Sequence, residues 1–85
     1  MRLIGTVRAK KDGIFTPEDS SERIPWALLR VRDQDSGEDV KVKPPVDELL
    51  EFTDFMKDLS RGDTVELTVL LDRFGNLRLV LPEQD

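Results

Sequence analysis

Residues 61–81, RGDTVELTVLLDRFGNLRLVL, decide the fold of this 85-residue chain. In the first half, Val65, Leu67, Val69 and Leu71 alternate with other residues, and a second alternating run, 77–81, follows a Gly-Asn pair. Apolar residues at every second position predict half-buried strands, and Gly-Asn between two such runs is typical of a tight turn. We therefore predict two antiparallel strands joined as a hairpin.

Three earlier segments show the same alternation: residues 2–10 (RLIGTVRAK), 26–32 (WALLRVR) and 39–43 (DVKVK). We predict a strand for each, with Gly5 allowing a bulge or bend in the first. Pro44-Pro45 ends the third, because proline cannot donate a hydrogen bond to a ladder. The predicted inward residues are Leu3, Gly5, Val7, Ala9, Ala27, Leu29, Val31, Val40 and Val42.

Two connections separate these three strands. Residues 11–25 show little periodicity and predict a long loop, with Ile14 and Phe15 as a further stretch of strand beyond a turn at Asp12-Gly13. Residues 33–38, DQDSGE, predict a hairpin turn. Their acidic residues resemble part of a calcium loop, but glycine is fifth and proline twelfth, where an EF-hand needs glycine sixth and glutamate twelfth. We therefore predict no metal site there.

Residues 47–59 change to the period of a helix. The apolar residues recur at spacings of three and four, and the predicted apolar side consists of Val46, Leu49, Leu50, Phe52, Phe55, Met56 and Leu59. The acids Glu48, Glu51, Asp54 and Asp58 fall largely opposite, and we interpret them as a solvated face rather than as acid-base pairs. Pro45 or Asp47 suits the first turn of this helix, and Gly62 suits its end.

The order strand, loop, strand, turn, strand, helix, strand, turn, strand resembles the OB-fold, a five-stranded Greek-key barrel. Residues 61–79, RGDTVELTVLLDRFGNLRL, are similar to the hairpin of single-stranded DNA-binding OB proteins, including small phage- and plasmid-borne ones. The resemblance implies one mainly β OB-fold domain over residues 1–85, with one helix between strands 3 and 4. It also implies a non-enzymatic role in replication or recombination. An SH3-like barrel, the main alternative, does not normally insert so long a helix here.

In OB proteins the ligand lies on the outer face of strands 2 and 3, between the loops that follow strands 1 and 4. The resemblance therefore implies a nucleic-acid-binding set of Arg8, Lys10, Phe15, Trp26, Arg30, Arg32, Lys41, Lys43, Arg73 and Phe74. The cations would hold phosphates, and each aromatic ring could stack on a base at about 1–3 kcal/mol per base. We expect single-stranded nucleic acid as the partner, with DNA rather than RNA and with little sequence preference.

The net charge of −5 by itself argues against a polyanionic partner. However, the charge is unevenly distributed: segments 1–11, 23–32 and 40–43 carry +4, +3 and +2, and the segments between them are acidic. A basic outer face on an acidic chain favours the nucleic-acid hypothesis. Alternatively, the basic residues protect a strand edge, Trp26 covers the barrel end as a core residue, and Phe74 packs on its own hairpin.

Composition excludes several other classes of function. The chain has no cysteine and no histidine, which excludes thiolate zinc sites, imidazole ligands and most nucleophile–base pairs. We predict no catalytic residue and no cofactor. No apolar run approaches the ~20 residues of a membrane span, so we expect a soluble, cytoplasmic protein that does not enter membranes. The alternative function is a protein-interaction module that docks a partner through the same face, at Trp26 and Leu28, or through an edge strand. An exposed edge strand could also form a homodimer in either case.

Overall fold

The computed structural model describes residues 1–82 as five strands and one helix. In chain order these are β1 (Arg2–Phe15), β2 (Ile24–Asp33), β3 (Asp39–Lys43), α1 (Leu49–Lys57), β4 (Thr64–Leu71) and β5 (Leu77–Val80). The strands form a closed barrel in the order β1-β2-β3-β5-β4. The predicted fold class is confirmed: a mainly β, five-stranded closed barrel with a single helix between β3 and β4. Within residues 1–82, no helix is long and apolar enough to cross a membrane.

The barrel closes because β1 pairs with two strands. Its first residues, Arg2–Thr6, pair antiparallel with β4, and Gly5–Phe15 pair antiparallel with β2. On the opposite side β3 and β5 form a short parallel pair, in which Val42 faces Leu77. The long strand β1 thus belongs both to the closing seam and to the sheet that carries β2 and β3.

The core is built from the inward side of every strand together with two helix residues. Its buried members are Leu3, Val7, Ala27, Leu29, Val31, Val42, Phe52, Met56, Val65, Leu67, Val69 and Leu79. Phe52 from α1 is fully buried among the strand residues. Truncating such a phenylalanine typically costs about 3–5 kcal/mol, so the helix is an integral part of the core.

Helix α1 is shorter than predicted, and two of its predicted core residues are exposed. Val46 is 72% exposed and Leu50 is 77% exposed. Asp47 has a φ of 64°, so the chain is not helical there and Val46 is not aligned with the helix face. Leu50 precedes Phe52 by two residues, roughly 200° of helical rotation, and therefore points away from the core.

The predicted loop 11–25 is too long at both ends, although Ile14 and Phe15 belong to a strand as predicted. β1 continues without a turn to Phe15, and the ladder with β2 runs to the Phe15–Ile24 pair, leaving residues 16–23 as the connection. The Asp12-Gly13 pair lies within the strand because each of its residues has a cross-strand partner. We call residues 11–15 and 24–28 the arm: along this stretch of the described chain, β1 and β2 have only each other as ladder partners.

The irregularity predicted at Gly5 lies at Arg8 instead. Val7 faces Val31 and Ala9 faces Arg30, which leaves Arg8 as the extra residue of a β-bulge. Gly5 has a different role, because a Cβ at this position would lie 2.1 Å from the carbonyl oxygen of Arg32. Glycine is therefore required for the close approach of β1 and β2, not for a bend.

Candidate nucleic-acid interface

The candidate site is the solvent side of β1, β2 and β3, which we call the outer face. In β2, Ala27, Leu29 and Val31 are buried, so the residues that alternate with them, Trp26, Leu28, Arg30 and Arg32, point outward. Directly opposite residues of antiparallel strands lie on the same side of the sheet. Lys41 of β3 is opposite Arg30, and Asp39 is opposite Arg32. The predicted orientation of β2 and β3 is thus the one observed.

The bulge decides which residues of β1 join the outer face. Beyond Arg8, the partners of the outward β2 residues are Ala9, Lys11, Gly13 and Phe15. The sequence predicts a loop at Lys11, and the predicted binding set omits this residue. It lies opposite Leu28 and adds a cation to this face. Only the pairing of β1 with β2 places Lys11 on this face, and the alternation of residues along β1 alone does not show that pairing.

Lys10 was predicted beside this face, but the structure places it on the other side. It is opposite the buried Leu29, and its Nζ donates a hydrogen bond of 3.1 Å to the carbonyl oxygen of Met56. That carbonyl belongs to the last turn of α1, where it also accepts a hydrogen bond from the amide of Leu59 and where the helix dipole favours a cation. Lys10 therefore contacts the end of α1 and does not lie beside the outer face, where it was predicted.

Trp26 lies on the outer face and packs on Gly13 of β1. A Cβ at Gly13 would be 3.0–3.1 Å from three atoms of the indole, so the ring occupies the space that a side chain would fill. The tryptophan is 42% exposed and is not a member of the buried core, so the core interpretation of Trp26 is wrong. Phe15 and Ile24, also exposed, continue the apolar surface toward the end of the arm.

The cations of this face differ in whether a carboxylate neutralises them. Within residues 1–82 the ion pairs are Arg2–Glu66, Arg32–Asp39, Lys57–Asp54 and Arg78–Asp72. Arg32 is therefore held by Asp39, at 3.1 Å. Lys11, Arg30, Lys41 and Lys43 take part in none of these pairs. Like charges directly opposite each other destabilise a sheet, and an anion bound between Arg30 and Lys41 would relieve that repulsion.

Asp72 organises the β4–β5 loop. Its carboxylate accepts hydrogen bonds from the amides of Phe74 (2.9 Å) and Asn76 (2.8 Å) and from Nε of Arg78 (3.0 Å). The amide of Asn76, followed by Arg78 and the amide of Phe74, lowers the pKa of Asp72 against the opposing effect of partial burial. Asp72 is not among the predicted site residues, although an Asp just before a Gly-Asn turn is a typical signal for such a contact.

The β4–β5 loop presents Arg73 and Phe74 to solvent. The Phe74 ring is 73% exposed and the guanidinium carbon of Arg73 lies 4.9 Å from its centroid, so the ring does not pack into its own hairpin. In the same loop, Gly75 and Asn76 line a pocket of about 420 Å³ together with Lys41, Lys43, Val40 and Leu77. The loop therefore borders the basic end of the outer face.

The structure thus brings most of the predicted residues to one surface. Trp26, Phe15, Arg30, Lys41 and Lys43 share the outer face with the additional Lys11, and Arg73 and Phe74 lie in the loop at its border. Arg32 is on this face in an ion pair, half-buried Arg8 is at the bulge, and Lys10 lies on the other side.

Comparison of the chain with models of protein families, with curated proteins and with solved structures finds no match. The function must therefore be inferred from the chain's own residues.

Proposed function

We propose that this protein is a non-enzymatic OB-fold module that binds single-stranded DNA, with little sequence preference, through its outer face. The observation that carries the proposal is the position of Trp26, which is open to solvent on the same sheet face as Lys11, Arg30 and Lys41, cations that form no ion pair within residues 1–82. Its cytoplasmic location and its role in replication or recombination, both expected from the sequence, belong to this proposal.

The two halves of the outer face suit the two parts of a nucleotide. Arg30 and Lys41 at the centre, with Lys11 and Lys43 beside them, supply positive charge for phosphates. Trp26 and Phe15 on the arm supply rings on which bases can stack, as can Phe74 at the other border. Only single strands expose base faces for stacking, so this combination favours a single strand over a duplex. The preference for DNA over RNA follows from the resemblance alone.

The test uses Trp26 itself, because it is the one tryptophan of the chain. A short oligothymidylate of about 12 nucleotides, within the ~4–16 nucleotides that an OB-fold covers, is titrated while tryptophan emission is followed. We expect quenching on binding. If four cations contact phosphates, the logarithm of the affinity should fall with the logarithm of the salt concentration at a slope of about −3. Absence of binding at low salt would refute the proposal.

A second candidate function, self-association or protein docking through the arm, is favoured by a separate observation. Ile14, Phe15, Ile24 and Trp26 are all exposed, and the arm's outer backbone edges have no ladder partner within the described chain. Exposed edges and apolar surface are typical of pairing sites. Sedimentation equilibrium separates the candidates: a dimer whose tryptophan emission is already blue-shifted and insensitive to DNA would favour docking.

A further inference from the structure

A groove runs between α1 and the β4–β5 hairpin, and it shares no lining residue with the pocket beside Lys41 and Lys43. Its volume is about 1170 Å³. One side is formed by α1 with the segment before it, and the floor is formed by residues of β4 and β5. The single-stranded DNA proposal uses none of this surface, so its chemistry needs its own explanation.

The floor of the groove is apolar and exposed. Leu70 and Leu71 of β4 are 59% and 62% exposed, and Val80 of β5 is 38% exposed. Leu70 and Val80 face solvent because Val69 and Leu79 take the inward positions of the same strands. Soluble proteins rarely leave such contiguous apolar surface uncovered unless it binds a partner.

The rim of the groove is acidic. Glu48, Glu51, Asp54 and Asp58 approach from the helix side, and Asp72 lies at the hairpin end. Asp54 is paired with Lys57, but the other three helix-side acids form no ion pair within residues 1–82.

The one cation among the groove residues of the described chain, Arg78, is already occupied. It donates hydrogen bonds to Asp72, at 3.0 Å, and to the carbonyl of Pro44, at 2.9 Å. The groove thus combines an apolar floor with a rim on which Glu48, Glu51 and Asp58 form no ion pair within residues 1–82.

We propose that this groove docks a basic, amphipathic segment of another protein. The apolar side chains of that segment would cover Leu70, Leu71 and Val80, and its lysines or arginines would face the carboxylates of α1. Nucleic acid is excluded as the occupant because the rim would repel its phosphates.

A second copy of this chain fits the groove poorly. Its exposed apolar arm ends in a connection that carries Glu18, Asp19 and Glu22 and only one cation, Arg23. This arm would bring acids against the acidic rim. The basic outer face of a second copy is the surface assigned to DNA in the proposed function. We therefore infer that the occupant is a separate basic partner, which could bind while the outer face holds DNA.

The experiment is selection of a random peptide library, displayed on phage, against the full chain. We expect enriched peptides that combine apolar residues with two or more Lys or Arg. A synthetic copy should bind the wild-type protein and lose about tenfold or more in affinity for Leu70→Asp, as expected for a central interface residue. Leu50→Asp is the control, because Leu50 is also exposed, at 77%, but does not line the groove, and this substitution should leave the affinity unchanged.

A charge reversal provides a second test that does not depend on the apolar floor. Glu51→Lys should weaken the peptide severalfold, whereas Glu18→Lys, in the connection between β1 and β2, should not. Thermal unfolding establishes that each variant is folded. The proposal is overturned if no sequence is enriched, if the enriched peptides are acidic, or if they bind Leu70→Asp as well as the wild type. Oligothymidylate binding is measured in parallel and is expected to be unaffected by Leu70→Asp, so the two proposals can fail separately.

Discussion

The indole of Trp26 packs on Gly13, with three ring atoms at 3.0–3.1 Å from the place where a Cβ of residue 13 would lie. Gly13 therefore determines how close the tryptophan comes to the strand. A ring held in one orientation before binding loses less conformational entropy when a base stacks on it. In this protein a residue without a side chain thus contributes to the proposed stacking surface.

Gly13→Val should displace the indole and weaken oligothymidylate binding about fivefold, through partial loss of the ~1–3 kcal/mol of a stacked base. The stability of the protein should change little, because the ring is at the surface and can move. Titration with thermal unfolding checks both expectations. Asp12→Val is the control, since Asp12 is adjacent but on the opposite side of the arm, opposite Ala27. Equal losses for the two variants would contradict the assignment of the faces.

Trp26→Ala should lower the affinity for oligothymidylate by roughly 5- to 150-fold, the equivalent of a stacking free energy of about 1–3 kcal/mol. The fold should persist, because the side chain lies outside the core. Fluorescence anisotropy of a labelled oligonucleotide gives the affinity. Ile14→Ala, which removes a residue that is 61% exposed on the other side of the arm, should bind normally. Unfolding of Trp26→Ala would instead indicate that the ring supports the barrel.

The neighbours Lys10 and Lys11 should behave in opposite ways. Lys11→Gln should reduce the steepness of the slope of log affinity against log salt concentration by about 0.7, which is the contribution of one phosphate contact with a single strand. Lys10→Gln should leave that slope unchanged and should reduce stability by about 1 kcal/mol, since it removes the bond to the Met56 carbonyl. Salt titrations and denaturant unfolding of both variants measure the difference. A reduced slope for Lys10→Gln would place that residue at the interface after all.

Gly5→Ala should destabilise the protein by about 1–3 kcal/mol, because the backbone must move to accept the new methyl group. A Cβ there would be 2.1 Å from the Arg32 carbonyl oxygen and 2.7 Å from a methyl carbon of Val31. Gly13→Ala, in the same strand, should cost less, since its Cβ meets only a surface ring. Urea unfolding of the two variants makes the comparison, and equal midpoints would show that β1 and β2 can separate without cost.

Asp72 should make stability depend on pH at the acidic end. Its pKa in the folded state is lowered from 3.8 by the amide of Asn76, by Arg78 and by the amide of Phe74. The ionised carboxylate therefore stabilises the fold above about pH 4, and this contribution is lost as the pH falls through the lowered pKa. Asp72→Asn should melt below the wild type at pH 7, and the difference should shrink in acid. A difference in melting temperature between Asp72→Asn and the wild type that is the same at every pH would contradict this role.

Local sequence predicted the barrel well where the alternation is bounded by residues that end a strand. The bounds of β3 are those predicted, because Pro44-Pro45 follows it directly. The helical spacing correctly predicted Phe52 and Met56 as core residues. Both features depend on neighbours within the same segment of the chain.

The errors concern features that depend on distant partners. Asp12-Gly13 is a typical turn pair, yet it is extended because Ala27 and Trp26 pair with it across the arm. The assignment of Lys10 and Lys11 to faces depends on the bulge, which follows from how β1 passes from one neighbouring strand to the other. Neither can be read from the alternation of β1 alone, and both alter the membership of the candidate site.

The bulge at Arg8 determines on which side of the sheet each later residue of β1 lies. If Arg8 instead paired regularly with Arg30, with no bulge, Lys10, Asp12 and Ile14 would lie beside Trp26, and Lys11, Gly13 and Phe15 would point away. The indole would then meet an aspartate side chain in place of a bare α-carbon. The same sequence, paired with and without one bulge, would thus present two different surfaces to a ligand.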